Sequence, residues 1–185
     1  MANIKSIKKK FFEVRVPLTA SKIHVYGSNP EALDGNVIKL DMSKSLRGKN
    51  VELRARILNK NGELESTPLS LEVMQSYIRR AIRNGTDYVE DSFEVSCKDA
   101  KLRVKPFLLT RKRVSRPVLR ELRNQARKYL EAYITVRTLE EIFSEITTNK
   151  IQRDLSLKLK KVYPLALCEI RKIEKVEEKK MQTAA

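Results

Sequence analysis

The segment KLRVKPFLLTRKRVSRPVLRELRNQARKYL, Lys101–Leu130, joins a strand pattern to a helix pattern through a short loop. Leu102 and Val104 alternate with charged residues, which is typical of a strand that places one face on the core. Ser115 stands where a helix N-cap is expected, Pro117 falls in the first turn, and helical apolar spacing follows. The segment therefore predicts a strand followed by a helix that runs to about residue 133.

The helix pattern separates an apolar stripe from a row of arginines. On a wheel at about 100° per residue, the arginines fall within roughly 60° of one another, and the apolar stripe lies about 110° away. The row contains Arg116, Arg120, Arg123 and Arg127. The stripe contains Leu119, Leu122, Ala126, Tyr129, Leu130 and Tyr133. Glu121 is the one acid that we assign to the helix, and it lies off the row, so we expect no acid at i+4 to relieve the repulsion between the arginines.

The excess positive charge of the chain is concentrated in two places. The 185 residues carry a formal net charge of +16, and charged residues make up 34% of them. Residues 101–130 hold eleven basic residues and one acid, and residues 1–12 hold four lysines and no acid. Residues 13–100 are balanced, and residues 131–185 have a small excess of base. Charge placed in this way predicts a polyanionic partner for the two basic segments.

The rest of the chain contains both strand and helix patterns. Strand patterns occur at 11–17, 22–26, 36–42, 49–58, 63–71, 87–96 and 165–175, with Asn61-Gly62 as a hairpin turn. Further helices are predicted from an N-cap at Ser70 to a C-cap at Gly85, from a capping box at Thr138, and over 150–162. The short turns between strands predict an α+β fold with mostly antiparallel pairing.

The domain organisation predicted from this pattern is simple. Residues 1–10 form a flexible basic arm, residues 11–176 form a single α+β domain, and residues 177–185 form a disordered tail.

Motifs for catalysis, cofactors and metals are absent from the sequence. We find no P-loop, dinucleotide-binding turn or paired-carboxylate motif, and His24 is the only imidazole. Cys97 and Cys168 are expected to be small buried residues, and with one histidine they do not make a usual zinc set. We therefore expect no enzyme activity, no cofactor, no metal and no small-molecule substrate.

There is also no export signal and no apolar run that would span a membrane, so a cytoplasmic protein is expected.

Arginine outnumbers lysine seven to four over residues 101–130, which bears on the kind of polyanion. A guanidinium pairs bidentately with phosphate and stacks on bases, so nucleic acid is favoured over a solvated face without a partner or an anionic lipid surface. Signatures of DNA-reading helices, and the aromatic sheet motif that reads single-stranded RNA, are absent. Contact with the backbone of structured RNA remains the favoured hypothesis.

Six motifs occur in the order found in one protein family. They are SYIRR at Ser76–Arg80, NGT at Asn84–Thr86, KDAKLRVKP at Lys98–Pro106, LTRKR at Leu109–Arg113, VYPL at Val162–Leu165 and IRKI at Ile170–Ile173. With them, residues 11–176 resemble the archaeal form of the ribosomal S3Ae family of small-subunit proteins.

This resemblance implies a fold and a role. The fold would be an antiparallel β-barrel-like body with packed helices. The role would be structural and non-catalytic, on the platform of the small ribosomal subunit, near the 3′ end of the ribosomal RNA and the messenger exit. The implied partners are small-subunit ribosomal RNA and neighbouring platform proteins, and the matching RNA-contacting residues would be Arg111, Lys112, Arg113, Arg120 and Arg123.

The charge pattern and the resemblance together give a set of candidate RNA-binding residues. These are Lys8, Lys9, Lys10, Arg79, Arg80, Arg83, Arg103, Lys105, Arg111, Lys112, Arg113, Arg116, Arg120, Arg123 and Arg127. Two other functions stay open at this point: a free RNA chaperone or translation regulator, and a basic chromatin-associated protein.

Overall fold

The computed structural model describes residues 9–44, 46, 48–60 and 62–176 and has the predicted α+β composition. The strands in this part of the chain are β1 (Lys10–Val16), β2 (Ser21–Gly27), β3 (Val37–Asp41), β4 (Val51–Lys60), β5 (Glu63–Val73), β6 (Tyr88–Glu90), β7 (Phe93–Ser96), β8 (Lys101–Thr110) and β9 (Leu165–Lys175). The α-helices are α1 (Gln75–Ala81), α2 (Arg116–Thr135), α3 (Leu139–Thr147) and α4 (Lys150–Leu159).

The strands form one branched sheet. Its main path runs β2-β1-β5-β9-β8-β6, with β4 and then β3 added at β5 and β7 added at β8. All pairs are antiparallel except β1 and β5, which are parallel at Val14 opposite Leu64. Strand β4 pairs with one edge of β5 along its whole length. The other edge of β5 is therefore shared by β1 and β9. The sheet is not closed in the described residues, so the barrel-like shape implied by the family resemblance is not confirmed.

Strand β8 carries the sheet into the helical part of the molecule. Its first half alternates as predicted, with Leu102 and Val104 fully buried between partly exposed charged residues. From Pro106 to Thr110 every residue is buried. This change in burial occurs where the pairing of β8 with β9 shifts register, between Lys105 and Pro106. Proline has no backbone N–H to donate, and such an irregularity in the pairing tolerates it. A strand that is half buried at one end thus becomes fully buried at the other.

Two apolar clusters hold the fold together. The larger one packs the sheet against the three C-terminal helices, and α2 contributes Leu122, Ala126, Leu130 and Ile134 to it. Three residues of the predicted apolar stripe are thus buried, and its other three, Leu119, Tyr129 and Tyr133, are partly buried against the cluster, whereas Ile134 was not predicted. The smaller cluster lies under the β1–β2 end of the sheet; it contains Val14, Leu33, Ile57 and Leu64, with Phe12, Val25 and Ile38 packed against it.

The helix predicted to begin at Ser70 is shorter than expected. Ser70 lies inside β5, opposite Arg54 on β4 and Glu174 on β9. Leu71 and Val73 alternate with period two and are buried, so strand pairing on both edges of β5 prevails over the helical spacing. The helix begins at Gln75 and is capped at Ile82, three residues before the predicted cap at Gly85.

Other boundaries differ by smaller amounts. The strand predicted over 87–96 is two strands separated at residues 91–92, and α4 ends at Leu159 instead of residue 162. Ser115 occupies the N-cap of α2, but its side chain makes no capping hydrogen bond. The capping box of Thr138 and Glu141 is confirmed. The turn residue Asn61, most of the basic arm and the C-terminal tail lie outside the described residues, and the single-domain assignment stays a prediction.

Substituting Leu122→Ala tests the placement of α2. Leu122 is fully buried in the larger cluster, so its truncation leaves a cavity that should lower the free energy of unfolding by about 2–5 kcal/mol. The matched control is Leu157→Ala on α4, where the side chain is 68% exposed and the change should stay within about 0.5 kcal/mol. Chemical denaturation of the two variants measures the difference. Similar losses in both would contradict the orientation of α2 described here.

Candidate nucleic-acid interface

Three of the four arginines in the α2 row have no acidic partner among the described residues. Arg116, Arg120 and Arg123 are exposed, and no acid in the described part of the chain forms an ion pair with them. From Arg116 to Arg127 the row spans twelve residues, or about 16.5 Å along the helix axis at a rise of about 1.5 Å per residue. The neighbouring apolar flank of α2 is buried, so packing fixes the orientation of the helix and keeps the arginine row on the surface.

The fourth arginine of the row, Arg127, is neutralised within the protein. Its Nε donates a 2.8 Å hydrogen bond to Glu131 at i+4, and its guanidinium lies 5.4 Å from the ring centroid of Phe93. The hydrogen bond to Glu131 raises the pKa of Arg127. The expectation of no acid at i+4 is therefore wrong for this residue, because Glu131 also belongs to α2. Glu121 does lie off the row, and its carboxylate accepts a 2.7 Å hydrogen bond from Gln125.

The loop between β8 and α2 is held by Thr110 and Asp87. The fully buried Thr110 hydroxyl lies 2.8 Å from the carbonyl oxygens of both Asp87 and Lys112, and it accepts a 3.0 Å hydrogen bond from the Asp87 N–H. The Asp87 carboxylate accepts a 2.9 Å hydrogen bond from the N–H of Val114. These contacts fix the loop backbone at both ends, while the three basic side chains, Arg111, Lys112 and Arg113, are exposed.

The anchored loop leads directly into the arginine row. The first turn of α2 contains no acid, and the partial positive charge of a helix N-terminus adds to the charge of the side chains there. Arg111 also has its Nε 3.5 Å from the carbonyl oxygen of Leu165 at the start of β9. We call the exposed residues of loop and helix the α2 basic surface; it consists of Arg111, Lys112, Arg113, Arg116, Arg120 and Arg123.

The polar face of β8 is balanced by acids, in contrast to the α2 basic surface. Arg103 pairs with Glu94 at 2.7 Å and with Glu174 at 3.2 Å, and Lys101 pairs with Glu94 at 2.9 Å. The hydrogen bond from Arg103, followed by that from Lys101, lowers the pKa of Glu94. Lys105 lines a groove that also contains Glu72, Glu90 and Asp91. Contact of Arg103 and Lys105 with RNA stays a prediction.

The remaining candidates lie in two other places. Arg79, Arg80 and Arg83, on and after α1, are exposed, and Arg80 Nε donates a 3.3 Å hydrogen bond to the carbonyl oxygen of Ser76. The segment that follows α1 reaches Asp87, which anchors the loop of the α2 basic surface.

The N-terminal candidates belong to a different part of the sheet. Lys9 and Lys10 are exposed at the start of β1, which pairs with β2 and β5, whereas α2 packs mainly against α4, β6 and β7. Lys8 lies outside the described residues.

Groups that support catalysis or metal binding are not assembled in the described residues. No three His, Cys, Asp or Glu side chains in this part of the chain are grouped so as to hold a metal ion. His24 is exposed on β2. Cys97 and Cys168 are free and buried, as predicted, and burial raises the pKa of the Cys168 thiol to about 12.

Within the described residues, no helix is both long and apolar enough to cross a membrane.

One cleft among the described residues contains an internal ion pair. It has a volume of about 710 Å³ and lies between α4, β9 and the segment around Lys49. Lys49 forms an ion pair with Glu169 inside it, and both side chains are about nine-tenths buried. The two buried charges of the cleft therefore satisfy each other, and the α2 basic surface is the stronger candidate site.

An α+β body that displays a fixed, acid-poor arginine row has the features of a protein that binds a phosphate backbone. The chain belongs to the ribosomal S3Ae family, whose profile matches residues 5–179. Membership gives the chain a structural role in the ribosome and not an enzymatic one, as the sequence predicts.

Curated relatives are archaeal proteins named small ribosomal subunit protein eS1. The protein of Methanothermobacter thermautotrophicus is 27% identical over 180 residues, which cover 92% of each chain. The protein of Sulfurisphaera tokodaii is 28% identical over 174 residues, or 89% of each chain. The protein of Nanoarchaeum equitans is 26% identical over 165 residues, which cover 85% of this chain and 83% of the relative.

Two residues that position the surface, Thr110 and Asp87, were not among the sequence candidates. Neither carries positive charge, and their hydrogen bonds join segments more than twenty residues apart, so composition gave no signal for them. The strand pattern predicted over residues 102–109 ends one residue before Thr110 and was the only hint of its position.

Replacing Thr110 with valine tests the anchoring of the loop. Valine keeps the shape but leaves the N–H of Asp87 without its acceptor, so the free energy of unfolding should fall by about 1–3 kcal/mol. The control is Thr135→Val near the end of α2, where the hydroxyl is exposed and the change should stay within about 0.5 kcal/mol. Denaturant titration compares the two variants. Equal stabilities would mean that the Thr110 hydroxyl does not hold the loop.

Proposed function

We propose that this chain is a structural constituent of the small ribosomal subunit that binds ribosomal RNA through the α2 basic surface. The observation that carries the proposal is the row formed by Arg116, Arg120 and Arg123, which has no acidic partner among the described residues. Family membership and relatives named as small-subunit proteins support the ribosomal setting.

The distribution of ion pairs supports an external partner for this surface. Elsewhere on the protein, exposed cations commonly lie beside acids, as in Arg15 with Glu63 and Lys60 with Glu65. Surface pairs of this kind contribute little to stability, but they lower the repulsion between like charges. The α2 basic surface lacks this compensation, and a phosphate backbone would supply it.

Arginine chemistry favours RNA phosphates as the partner. Guanidinium groups donate two parallel hydrogen bonds to a phosphate, and each neutralised phosphate releases bound counterions. A rigid helix places the three free arginines at intervals of about 4.5 and 6 Å along its axis, so that several backbone contacts form together. Contacts of this kind recognise the shape of the RNA backbone and not its base sequence. Such recognition is suited to folded ribosomal RNA.

The setting proposed for this contact is the platform of the subunit, near the messenger exit and the 3′ end of the ribosomal RNA, in the cytoplasm. Neighbouring platform proteins are the expected protein partners. Exposed apolar side chains away from the α2 basic surface, such as Leu157 at 68% and Val136 at 65%, are suited to such protein contacts.

The double substitution Arg120→Ala with Arg123→Ala tests the proposed contact. Each phosphate contact that is lost lowers the slope of log K against log salt by about 0.7–0.9, so the slope for binding of small-subunit ribosomal RNA should fall by about one to two units. Thermal stability should barely change, because both side chains are exposed and unpaired in the described structure. Filter binding over a series of salt concentrations measures the slope.

The matched control is Arg54→Ala with Lys60→Ala on β4. It removes the same charge, but from two exposed residues that are paired with Glu52 and Glu65. This control should leave the salt slope close to that of the unchanged protein. Equal effects of the two double variants would mean that net charge, and not the α2 basic surface, sets the affinity.

Sedimentation distinguishes a ribosomal constituent from a free RNA chaperone or translation regulator. On a sucrose gradient, the chain should sediment with small subunits in stoichiometric amount. Its presence mainly in light fractions would contradict the proposal and favour a free regulator. Binding of duplex DNA as strong as that of structured RNA at equal salt would instead favour a chromatin-associated protein.

A further inference from the structure

The hairpin of β1 and β2 has one packed face and one free face. Phe12 and Val25 point to the packed face, where they join the smaller apolar cluster. Leu33 closes this face under Gly27, where an added Cβ would lie 2.9 Å from a methyl group of Leu33. The hairpin is therefore anchored by its inner side, and nothing in the described residues covers its outer side.

The outer face presents two large aromatic side chains. Phe11 and Tyr26 stand directly opposite each other in the strand pairing. They are 71% and 56% exposed, and their ring centroids are 5.0 Å apart with the planes tilted by 49°. A base that lies flat on one of these rings would meet the other ring at its edge. The pair therefore offers a stacking surface that the core does not use.

A free cation stands beside the aromatic pair. Lys9 Nζ lies 5.9 Å from the ring centroid of Tyr26, and no acid among the described residues pairs with it. Two other cations of the hairpin are already paired, since Lys22 binds Glu13 at 3.0 Å and Arg15 binds Glu63 at 3.2 Å. Lys9 is thus placed to contact a phosphate next to a base stacked on Tyr26.

We propose that Phe11 and Tyr26 form a stacking platform for one or two unpaired bases of a single-stranded RNA segment, with Lys9 contacting the adjacent phosphate. Aromatic stacking accepts any base and requires the base to be unpaired, because the faces of paired bases are covered by their neighbours. This site differs from the α2 basic surface in both location and chemistry. It rests on the proposed function in that its ligand is again RNA.

Charge favours RNA over a protein occupant on this face. Residues 1–12 contain four lysines and no acid, so the segment that leads into β1 attracts polyanions. An aromatic surface beside lysines is the combination found in sites for single-stranded nucleic acid. A second copy of this chain would bring the same excess of lysine to the contact and would be repelled.

Phe11→Trp provides a direct optical test, because the chain contains no tryptophan. Titration with single-stranded oligouridylate should quench the new tryptophan as bases stack on it. An abasic ribose-phosphate oligomer at equal phosphate concentration should leave the emission unchanged. Leu157→Trp, at a site on α4 that is 68% exposed, should respond to neither ligand.

Adding Tyr26→Leu to the Phe11→Trp protein tests the second half of the platform. The dissociation constant for oligouridylate should rise roughly 5- to 100-fold, the range expected when stacking on one base is lost. Oligouridylate that binds in a mobility-shift assay without quenching the tryptophan would overturn the platform. Equal quenching by the abasic oligomer would also overturn the platform. An emission change that depends on protein concentration in the absence of RNA would overturn it too, because such a change indicates self-association.

These outcomes separate the platform from the proposed function. The double variant Phe11→Leu with Tyr26→Leu should bind ribosomal RNA with an unchanged slope of log K against log salt. This slope depends on Arg120 and Arg123, which the double variant retains. Failure of the platform alone would therefore remove the quenching but keep that slope. Failure of the proposed function would appear as loss of ribosomal RNA binding by the unchanged protein at low ionic strength.

Discussion

Repulsion between Arg116, Arg120 and Arg123 is the main electrostatic constraint on the surface of this protein. These guanidinium groups lie on one side of α2, and Leu122, Ala126 and Leu130 on its other side are buried. Burial of the apolar side chains fixes the orientation of the helix, so the three arginines stay together on the surface. An external polyanion would relieve the repulsion. Arg127 differs from these three arginines because it pairs with an internal acid, Glu131.

The sheet supports this surface through ordinary packing and hydrogen bonding. β8 lies between β9 on one edge and β6 and β7 on the other, and its C-terminal half is buried on both faces. The strand therefore ends at a fixed point, where Thr110 and Asp87 hold the loop that leads to α2. Lys101 and Arg103 on the first half of β8 are paired with acids on neighbouring strands. The loop and the helix that follow the strand carry the six exposed basic residues of the α2 basic surface, for which the described residues offer no ion pair.

Much of the fold could be predicted from local pattern, and the failures have physical causes. The alternation in β4, the capping box at Thr138 and the apolar stripe of α2 were all confirmed, because each depends on residues close in sequence. Ser70 was misassigned because pairing with β4 and β9 decides its conformation. The candidate basic residues could be found from charge alone, but charge could not reveal that Arg103 has two acidic neighbours. Nor could it reveal that Phe11 and Tyr26 meet on an open face.

The most direct test of the central claim is the chemical accessibility of the α2 arginines in assembled particles. An arginine-selective dicarbonyl reagent, followed by peptide mass spectrometry, reports the reactivity of Arg116, Arg120 and Arg123 in the free protein and in small subunits. All three are exposed in the protein alone and should react. In the particle they should be protected, and digestion of the RNA should restore their reactivity. Equal reactivity in the free protein and in the intact particle would contradict the claim that a phosphate backbone covers this surface.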